Sequence, residues 1–506
     1  MNTAAIASCL PARQRWPRFA HTLAQIGACL LILSRAAAAP SPYFGIHVVD
    51  EQTGRGIPLV VLRTVNEIRC VTDNAGWVAW HEPGLMEREV WFHVSSPGYV
   101  KEKDGFGFAG FRVLPKAGET TTLRLQRTNI AERVGRLTGQ GLYRDTELLG
   151  LPCPVPKSSN ALVMGQDSVN ATPYRNRIFW LWGDTNVARY PLGNYRSTCA
   201  TTPMEATPER GLFFDYFVDP TDPTRPRQML PMAGQGAVWL FGLLTVKDEA
   251  QNERLLAHYG RHLGLEPPVE HGLARFNDER GVFEKASHLP VTESWRFPQG
   301  QAVRVADASG ERYYFSRPFL HTRVRATEHD VLQPSSYEAL RFEAGTWRWQ
   351  NEHPPTTQKD ERALILHGSM DPDQARFQVL AAGSDAPVQI HTASVQWNAW
   401  RKRWVLIGVE QGAPKSPSYL GEVWYAESVS PEGPWRKAIK VASHPSYSFY
   451  NPIHHGFFDS EGGRVIYFEG TYTREFSGNP VATERYDYNQ LLYRLDLADP
   501  KLQPAQ

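Results

Sequence analysis

Short runs of β-branched and aromatic residues, separated by glycine, proline, asparagine and aspartate, recur along most of the chain. Such runs predict short β-strands joined by tight turns, because branched and aromatic side chains suit a pleated sheet. The 506 residues are 42% hydrophobic and 21% charged, a balance typical of a folded protein rather than a disordered one. We therefore expect an all-β fold of two or more domains.

Residues 1–39 have the order of a secretory signal peptide: arginines first, then the apolar run "LAQIGACLLIL", then the small-residue run "RAAAAP". Cleavage is expected near Ala38 or Ala39. A membrane anchor is the alternative, although spanning a bilayer takes about 20 apolar residues and this run is shorter. The expected location is secreted or periplasmic, without stable insertion into a membrane.

Removing residues 1–39 takes away four arginines and no acids, which leaves 50 basic and 53 acidic residues. The mature chain then has a formal charge of −3, from +1 for the whole chain. A nearly neutral chain lacks the basic patch that nucleic-acid binding requires, so no nucleic-acid partner is predicted. Cys70, Cys153 and Cys199 remain, and two readings stay open: a Cys153–Cys199 disulfide, or three free thiols.

Residues 42–127 contain short alternating strands and predict a small β-sandwich. The phrase "VVDEQTGRGIPLVVLRTVNEIRCVTDNAGWVAWHEPG" resembles the carboxypeptidase-regulatory-like, transthyretin-like accessory domains. That resemblance implies a structural or adhesive module with no catalytic role.

The rest of the chain divides into a polar connector at 128–150 and an aromatic, strand-rich region at 151–498. The length of that region fits roughly five four-stranded blades of a β-propeller, a closed ring that hides most sheet edges. A two-sheet sandwich is the alternative. Residues 247–286 show helical spacing and predict a helical insertion between strands.

The segment "GQDSVNATPYRNRIFWLWGDTN" places Asp167 before, and Asp184 after, a strand that is apolar throughout. Such a strand is predicted to be buried on both faces, as in a propeller blade. Asp184 then has two readings: an Asx-turn that caps the bend after the strand, or a carboxylate at the mouth of the central channel.

The "GQD" and "WGDTN" elements resemble the first blade of five-bladed-propeller glycoside hydrolases, in particular the endo-D-arabinanase family and its uncharacterised relatives. The resemblance implies that Asp167 and Asp184 are the carboxylates on which hydrolysis depends. The family has glycine after the first aspartate, whereas this chain has Ser168. Glycosidic cleavage uses one carboxyl group as acid and a second as base or nucleophile.

A third acid from a later blade is a further expectation from other five-bladed glycosidases. Glu410 and Glu469 are the open candidates; Glu338 and Glu422 also lie in or beside aromatic strands. Each of these acids is more often simply an acid at a strand end or edge.

Side chains that suit sugar recognition flank the second aspartate and crowd the C-terminal region "YSFYNPIHHGFFDSEGGRVIYFEGTYTREF". Adjacent histidines point to opposite faces of a strand, so at most one of His454 and His455 reaches the channel. No cofactor and no metal ligands are predicted, although a structural cation in the channel is left open. The predicted substrate-binding residues are Trp182, Asn186, Asn451, His455, Tyr472 and Arg474.

The predicted partner is a carbohydrate, and three functions of the protein are compatible with it. The first is a secreted glycoside hydrolase that uses Asp167 and Asp184. The second is a non-catalytic carbohydrate-binding or adhesion propeller. The third is a polysaccharide lyase, which would use Tyr472 or His455 as the proton-abstracting group and Arg474 to neutralise charge.

Overall fold

The computed structural model describes residues 41–155, 159–188, 197–264, 267–296, 300–412 and 419–505. The predicted signal peptide at 1–39 lies outside these residues. The described chain is mostly β-structure, and residues 41–506 form one compact unit. None of the helices described in it is long and apolar enough to cross a membrane.

The N-terminal part consists of two four-stranded sheets, in the orders β4-β1-β8-β6 and β3-β2-β5-β7. Apolar side chains from both sheets, including Ile46, Leu62 and Phe92, form one buried cluster. Alternating burial along β2 and β4 matches the period of two that a strand imposes. The strands are β1 (Phe44–Asp50), β2 (Val61–Thr64), β3 (Arg69–Val71), β4 (Trp77–Trp80), β5 (Val90–Ser95), β6 (Tyr99–Val100), β7 (Gly110–Val113) and β8 (Thr120–Arg127).

The segment predicted as a connector, 128–150, contributes to the sheet structure that follows. It contains β9 (Glu132–Arg136), buried along its whole length, and the short helix α1 (Arg144–Leu148). Strand β9 pairs antiparallel with the last strand of the chain. A segment that reads as polar therefore joins the two ends of the strand-rich region.

Five sheets of four to six strands follow one another along the rest of the described chain, and their strand pairs are antiparallel except for the parallel pair β27–β32. Sheet I has the order β11-β12-β14-β15, with the pair β10-β13 beside it; sheet II has the order β18-β19-β20-β21. The strands are β10 (Val163–Gln166), β11 (Asn170–Tyr174), β12 (Arg177–Trp182), β13 (Thr185–Val187), β14 (Thr198–Pro203), β15 (Asp215–Tyr216), the hairpin β16 (Val218–Asp219) and β17 (Asp222–Pro226), then β18 (Ala237–Lys247), β19 (Glu253–His262), β20 (Glu270–Asn277) and β21 (Val282–Leu289).

Sheet III runs β22 to β26 in chain order, sheet IV has the order β28-β27-β32-β31-β30-β29, and sheet V has the order β33-β34-β35-β9. The elements are β22 (Ala302–Asp307), β23 (Gly310–Ser316), β24 (Leu320–Arg325), α2 (Glu328–Leu332), β25 (Glu338–Glu343), β26 (Thr346–Gln350), α3 (Gln358–Leu366), β27 (Val379–Ala381), β28 (Pro387–Val388), β29 (Ile390–Asn398), β30 (Arg403–Glu410), β31 (Glu422–Ser428), β32 (Lys437–Ser443), β33 (Ser448–His454), β34 (Val465–Thr473) and β35 (Asn489–Asp496).

Five hydrophobic clusters connect the sheets in a cycle. Separate clusters join sheet I to II, II to III, III to IV and IV to V. The fifth cluster packs Trp180 and Trp182 of sheet I against Tyr467 and Leu492 of sheet V. The last sheet is thus in contact with the first, and inner strands such as β12, β30 and β34 are buried on both faces.

The predicted helical insertion at 247–286 is wrong, because this segment forms the end of β18, strands β19 and β20 and part of β21. Consecutive residues of β19 are fully buried on both faces: Leu255 and Ala257 face sheet I, and Leu256 faces sheet III. Burial on both sides removes the alternation that identifies a strand, and the neighbouring sheets override the local helical propensity.

Candidate functional site

Two aspartates meet where β10 and β12 end. Asp167 follows β10 and Asp184 follows β12, and their backbones are joined by hydrogen bonds. The amide of Gly183 donates to the carbonyl of Asp167 at 2.8 Å, and the amide of Asp167 donates to the carbonyl of Asp184 at 3.2 Å. The amide of Asp184 also donates to Oδ1 of Asp167 at 2.9 Å. The fold therefore fixes these two residues against each other.

Two tyrosines hold the second oxygen of Asp167. The hydroxyl of Tyr488 donates to Oδ2 at 2.6 Å, and the hydroxyl of Tyr450 donates to the same atom at 2.8 Å. Burial raises the pKa of Asp167, while the donors from Tyr488, Tyr450 and the Asp184 amide lower it. The pKa of Asp167 is raised overall, because burial outweighs these donors, while each donor favours the charged form of the carboxylate.

Asp184 lies in a different environment from Asp167. It is half-buried, and its Oδ1 accepts one 2.7 Å hydrogen bond from Nε1 of Trp239 on β18. Burial, and then the charge of Asp167, raise the pKa of Asp184 to about 7. Two neighbouring carboxyls with separated proton affinities can divide the acid and base roles. Asp184 is thus the group that holds a proton near neutral pH.

Close packing at Gly183 brings the two aspartates together. A Cβ atom at this position would lie 2.3 Å from Oδ1 of Asp167. On the other side, Ser168 has φ +51° and accepts a 2.8 Å hydrogen bond from Nδ2 of Asn451. Asn451 itself has φ +51° and lies in an irregularity of the β33–β34 pairing. Bulges of this kind redirect side chains, here toward the aspartates.

A cavity of about 390 Å³ lies beside the aspartates, where the edge strands of the five sheets converge. Ser168 and Tyr450, which contact or adjoin Asp167, line it. Each of the five sheets contributes a lining residue, either from its edge strand or from the position just before that strand. These residues are Asn170, Phe241, Gln301, Thr392 and Ile453. A larger groove of about 910 Å³ lies elsewhere, between β18 and β22–β24, and neither Asp167 nor Asp184 is among the described residues that line either space.

Of the other predicted residues, Asn451 lines this cavity. The structure places Glu469 and His455 elsewhere: both are fully buried and share a 2.7 Å hydrogen bond. Trp182 is also buried and stacks on Trp180, whose ring contacts His455. These three side chains lie in the packing between sheets I and V, and none of them lines the cavity.

The remaining predicted residues lie outside the cavity as well. Tyr472 is buried and donates to Glu484, and Glu410 accepts from Nε1 of Trp424 at 2.8 Å. Arg474 is exposed and pairs with Asp487 at 3.3 Å. Asn186 is half-buried in β13. The structure therefore does not bring Tyr472, His455 and Arg474 together, as the lyase hypothesis requires.

Tyr450, Tyr488 and Trp239 are site residues that the sequence analysis did not identify. Their contacts to Asp167 and Asp184 span from 55 to 321 positions of sequence. The one local signal is the polar and aromatic density of the C-terminal region, which contains both tyrosines.

No disulfide joins any two of the three described cysteines, so Cys153 and Cys199 do not form one. Cys199 is buried in β14, where burial raises its thiol pKa. Among the residues that the structure describes, no group of three or more histidine, cysteine, aspartate or glutamate side chains has the geometry to hold a metal ion. His454 pairs with Asp459 at 2.8 Å.

No family model matches this chain, and no curated protein does. The solved structures to which it is similar include glycoside hydrolases. They include an exo-1,5-α-L-arabinanase from a bovine ruminal metagenomic library (TM-score 0.34, 11% identity, 66% of this chain and 94% of that one). Two others are the endo-1,5-α-L-arabinanase of Thermotoga petrophila RKU-1 (0.34, 9%, 67% and 73%) and a thermostable family-43 glycoside hydrolase (0.28, 10%, 65% and 88%).

Proposed function

We propose that this protein is a glycoside hydrolase that cleaves a polysaccharide or oligosaccharide with Asp167 and Asp184. The observation that supports this proposal is the contact between the two residues. The backbone amide of Asp184 donates a 2.9 Å hydrogen bond to Oδ1 of Asp167, beside a cavity of about 390 Å³. Glycosidases use such a pair, one carboxyl protonated and one ionised.

The two environments assign the roles. Asp184, with its pKa raised to about 7, donates the proton to the leaving oxygen. Asp167, held by Tyr450 and Tyr488, carries the negative charge and acts as base or nucleophile. The charge on Asp167 in turn keeps the proton on Asp184, so each residue supports the role of the other.

The cyclic order of the five sheets supports a five-bladed β-propeller, closed by β9 in the last blade. The two N-terminal sheets are proposed to form the predicted accessory β-sandwich. The order of residues 1–39 in the sequence supports export, so the proposed location is secreted or periplasmic.

The test is a screen of the purified protein against plant, algal and bacterial polysaccharides, with product analysis. Hydrolysis gives reducing ends without unsaturation. An unsaturated, ultraviolet-absorbing product end would contradict hydrolysis in favour of a lyase. Binding without any product, unchanged in Asp184→Asn, would favour a carbohydrate-binding propeller. Asp385→Asn, in the exposed turn between β27 and β28 of sheet IV, is a matched control.

A further inference from the structure

One permanently charged side chain, that of Arg317, is among the described residues that line the cavity of about 390 Å³ beside the aspartates. It lies in the turn between β23 and β24 and is exposed. The described lining includes no aspartate and no glutamate. The charge at the wall of this cavity is therefore positive, although the mature chain as a whole is slightly acidic.

The Arg317 guanidinium forms no hydrogen bond and no ion pair with any residue that the structure describes. Neighbouring arginines of sheet III are paired: Arg312 with Asp307 and Arg323 with Glu338. Arg317 is exposed as a residue, while the protein around its side chain lowers its pKa. An unpaired, partly desolvated guanidinium favours an anionic ligand, because charged groups away from bulk water are stabilised by pairing.

The turn that carries Arg317 is fixed. Phe319 and Leu320 directly follow it in the chain and are fully buried against sheet IV. The Arg317 amide donates to the carbonyl of Phe319 at 3.4 Å. The fixed turn sets the backbone position from which the side chain extends, and the planar donors of the guanidinium suit two oxygens of one oxyanion.

The cavity around Arg317 has the other features of a sugar site. His391 and Gln301 lie in the same lining, and burial together with the Arg317 charge lowers the pKa of His391, so its ring is neutral at pH 7. Phe241 and Tyr450 offer aromatic faces for the apolar side of a sugar ring. Tyr450 lines this cavity and donates its hydroxyl to Asp167 at 2.8 Å, so the cavity adjoins the aspartate pair.

We propose that Arg317 binds the oxyanion of an acidic sugar unit, so that the glycan recognised in this cavity carries carboxylate or sulfate groups. This inference rests on the proposed glycan function and specifies its substrate class. The uronate carboxylate and the sulfate ester present the same chemistry to a guanidinium, a pair of oxygens sharing negative charge.

Binding, rather than turnover, separates this inference from the hydrolase proposal. Full-length Asp184→Asn protein is titrated with uronate oligosaccharides and with the same oligosaccharides after carboxyl reduction. A second arm uses sulfated oligosaccharides and their desulfated forms. Arg317→Met in this background is expected to lose at least about tenfold in affinity for one acidic series and little for its neutral counterpart. Arg317→Lys keeps the charge without the planar fork and is expected to fall between the two.

Arg403→Met, at an exposed position of β30, is the matched control and should bind like the parent. Thermal unfolding checks that each variant folds. Equal affinity of the parent for acidic and neutral forms, or equal affinity of Arg317→Met and the parent for the acidic form, would overturn the inference. So would the absence of binding to every acidic glycan. Hydrolysis of a neutral glycan by the wild type would overturn it while leaving the hydrolase proposal intact.

Discussion

The backbone amide of Asp184 donates a 2.9 Å hydrogen bond to Oδ1 of Asp167, 17 positions earlier in the chain. The side chain of Asp167 therefore binds the backbone of Asp184, and the two residues follow the ends of strands β10 and β12. The charge that this geometry places beside Asp184 helps to raise its pKa to about 7.

Asp167→Asn is expected to lower the pKa of Asp184. The charge of Asp167 raises that pKa, second only to burial, so its removal makes the Asp184 carboxylate easier to form. The burial contribution remains, which keeps the value above the ordinary 3.8. Carbon-detected NMR titration of protein labelled at the aspartate carboxyls measures the shift. An Asp184 pKa unchanged from about 7 would show that the two carboxyls are not coupled.

Tyr488→Phe removes a 2.6 Å donor from Oδ2 of Asp167. A hydrogen bond to a charged group is worth about 1.5–3 kcal/mol, so the Asp167 carboxylate becomes harder to form and its pKa rises. We expect kcat/KM to fall about tenfold to a hundredfold and the acidic limb of the pH profile to move to higher pH. Tyr314→Phe, whose hydroxyl contacts Arg323 in sheet III, is the control. Identical pH profiles for both variants would contradict the role of Tyr488.

Gly183→Ala is expected to abolish most activity while the chain still folds. The added methyl group would lie 2.3 Å from Oδ1 of Asp167, so the carboxylate must move and its hydrogen bond from the Asp184 amide is lost. A displacement of about 1 Å at a reacting group can cost about a hundredfold in rate. Gly105→Ala meets no atom within 4 Å and serves as the matched control. Wild-type rates for Gly183→Ala would show that this contact does not position the pair.

Glu469→Ala is expected to reduce stability rather than catalysis. Its carboxylate is 1% exposed and pairs with buried His455 at 2.7 Å. Removing one partner of a buried pair costs about 3–5 kcal/mol, whereas Glu343→Ala, at an exposed strand end, should cost little. Differential scanning calorimetry measures the loss, and the rate per folded molecule should stay within about twofold of wild type. A normal Tm with lost activity would instead make Glu469 the third acid.

The all-β character follows from local patterns, whereas the catalytic role of Asp167 and Asp184 rests on the resemblance of their motifs to a hydrolase family and stays a prediction. Strands β19 and β20 were misread as helical, since burial on both faces hides the alternation of a strand. The burial of Glu469 and His455 could not be predicted either, because a polar residue inside a sheet interface looks the same in sequence as one at a channel. The site tyrosines lie 283 and 321 positions from Asp167, and only the fold reveals such contacts.

Ser168 shows how a departure from a motif can be read in physical terms. The hydrolase family that the motif resembles has glycine at this position, and the backbone here adopts φ +51°, a conformation that glycine reaches without strain. The serine takes the same conformation and accepts a hydrogen bond from Asn451, which itself lines the cavity. The turn that presents Asp167 is therefore retained with a different residue.

The pH dependence of hydrolysis by wild type and Asp184→Asn tests the central claim most directly. On a polysaccharide identified in the screen, the wild-type rate should fall as the pH rises through about 7, because Asp184 then loses the proton it donates. Asp184→Asn should lose at least about a hundredfold in kcat/KM at pH 5, with Asp385→Asn unchanged. Hydrolysis by Asp184→Asn at the wild-type rate, with the same pH profile, would contradict the assignment of this pair.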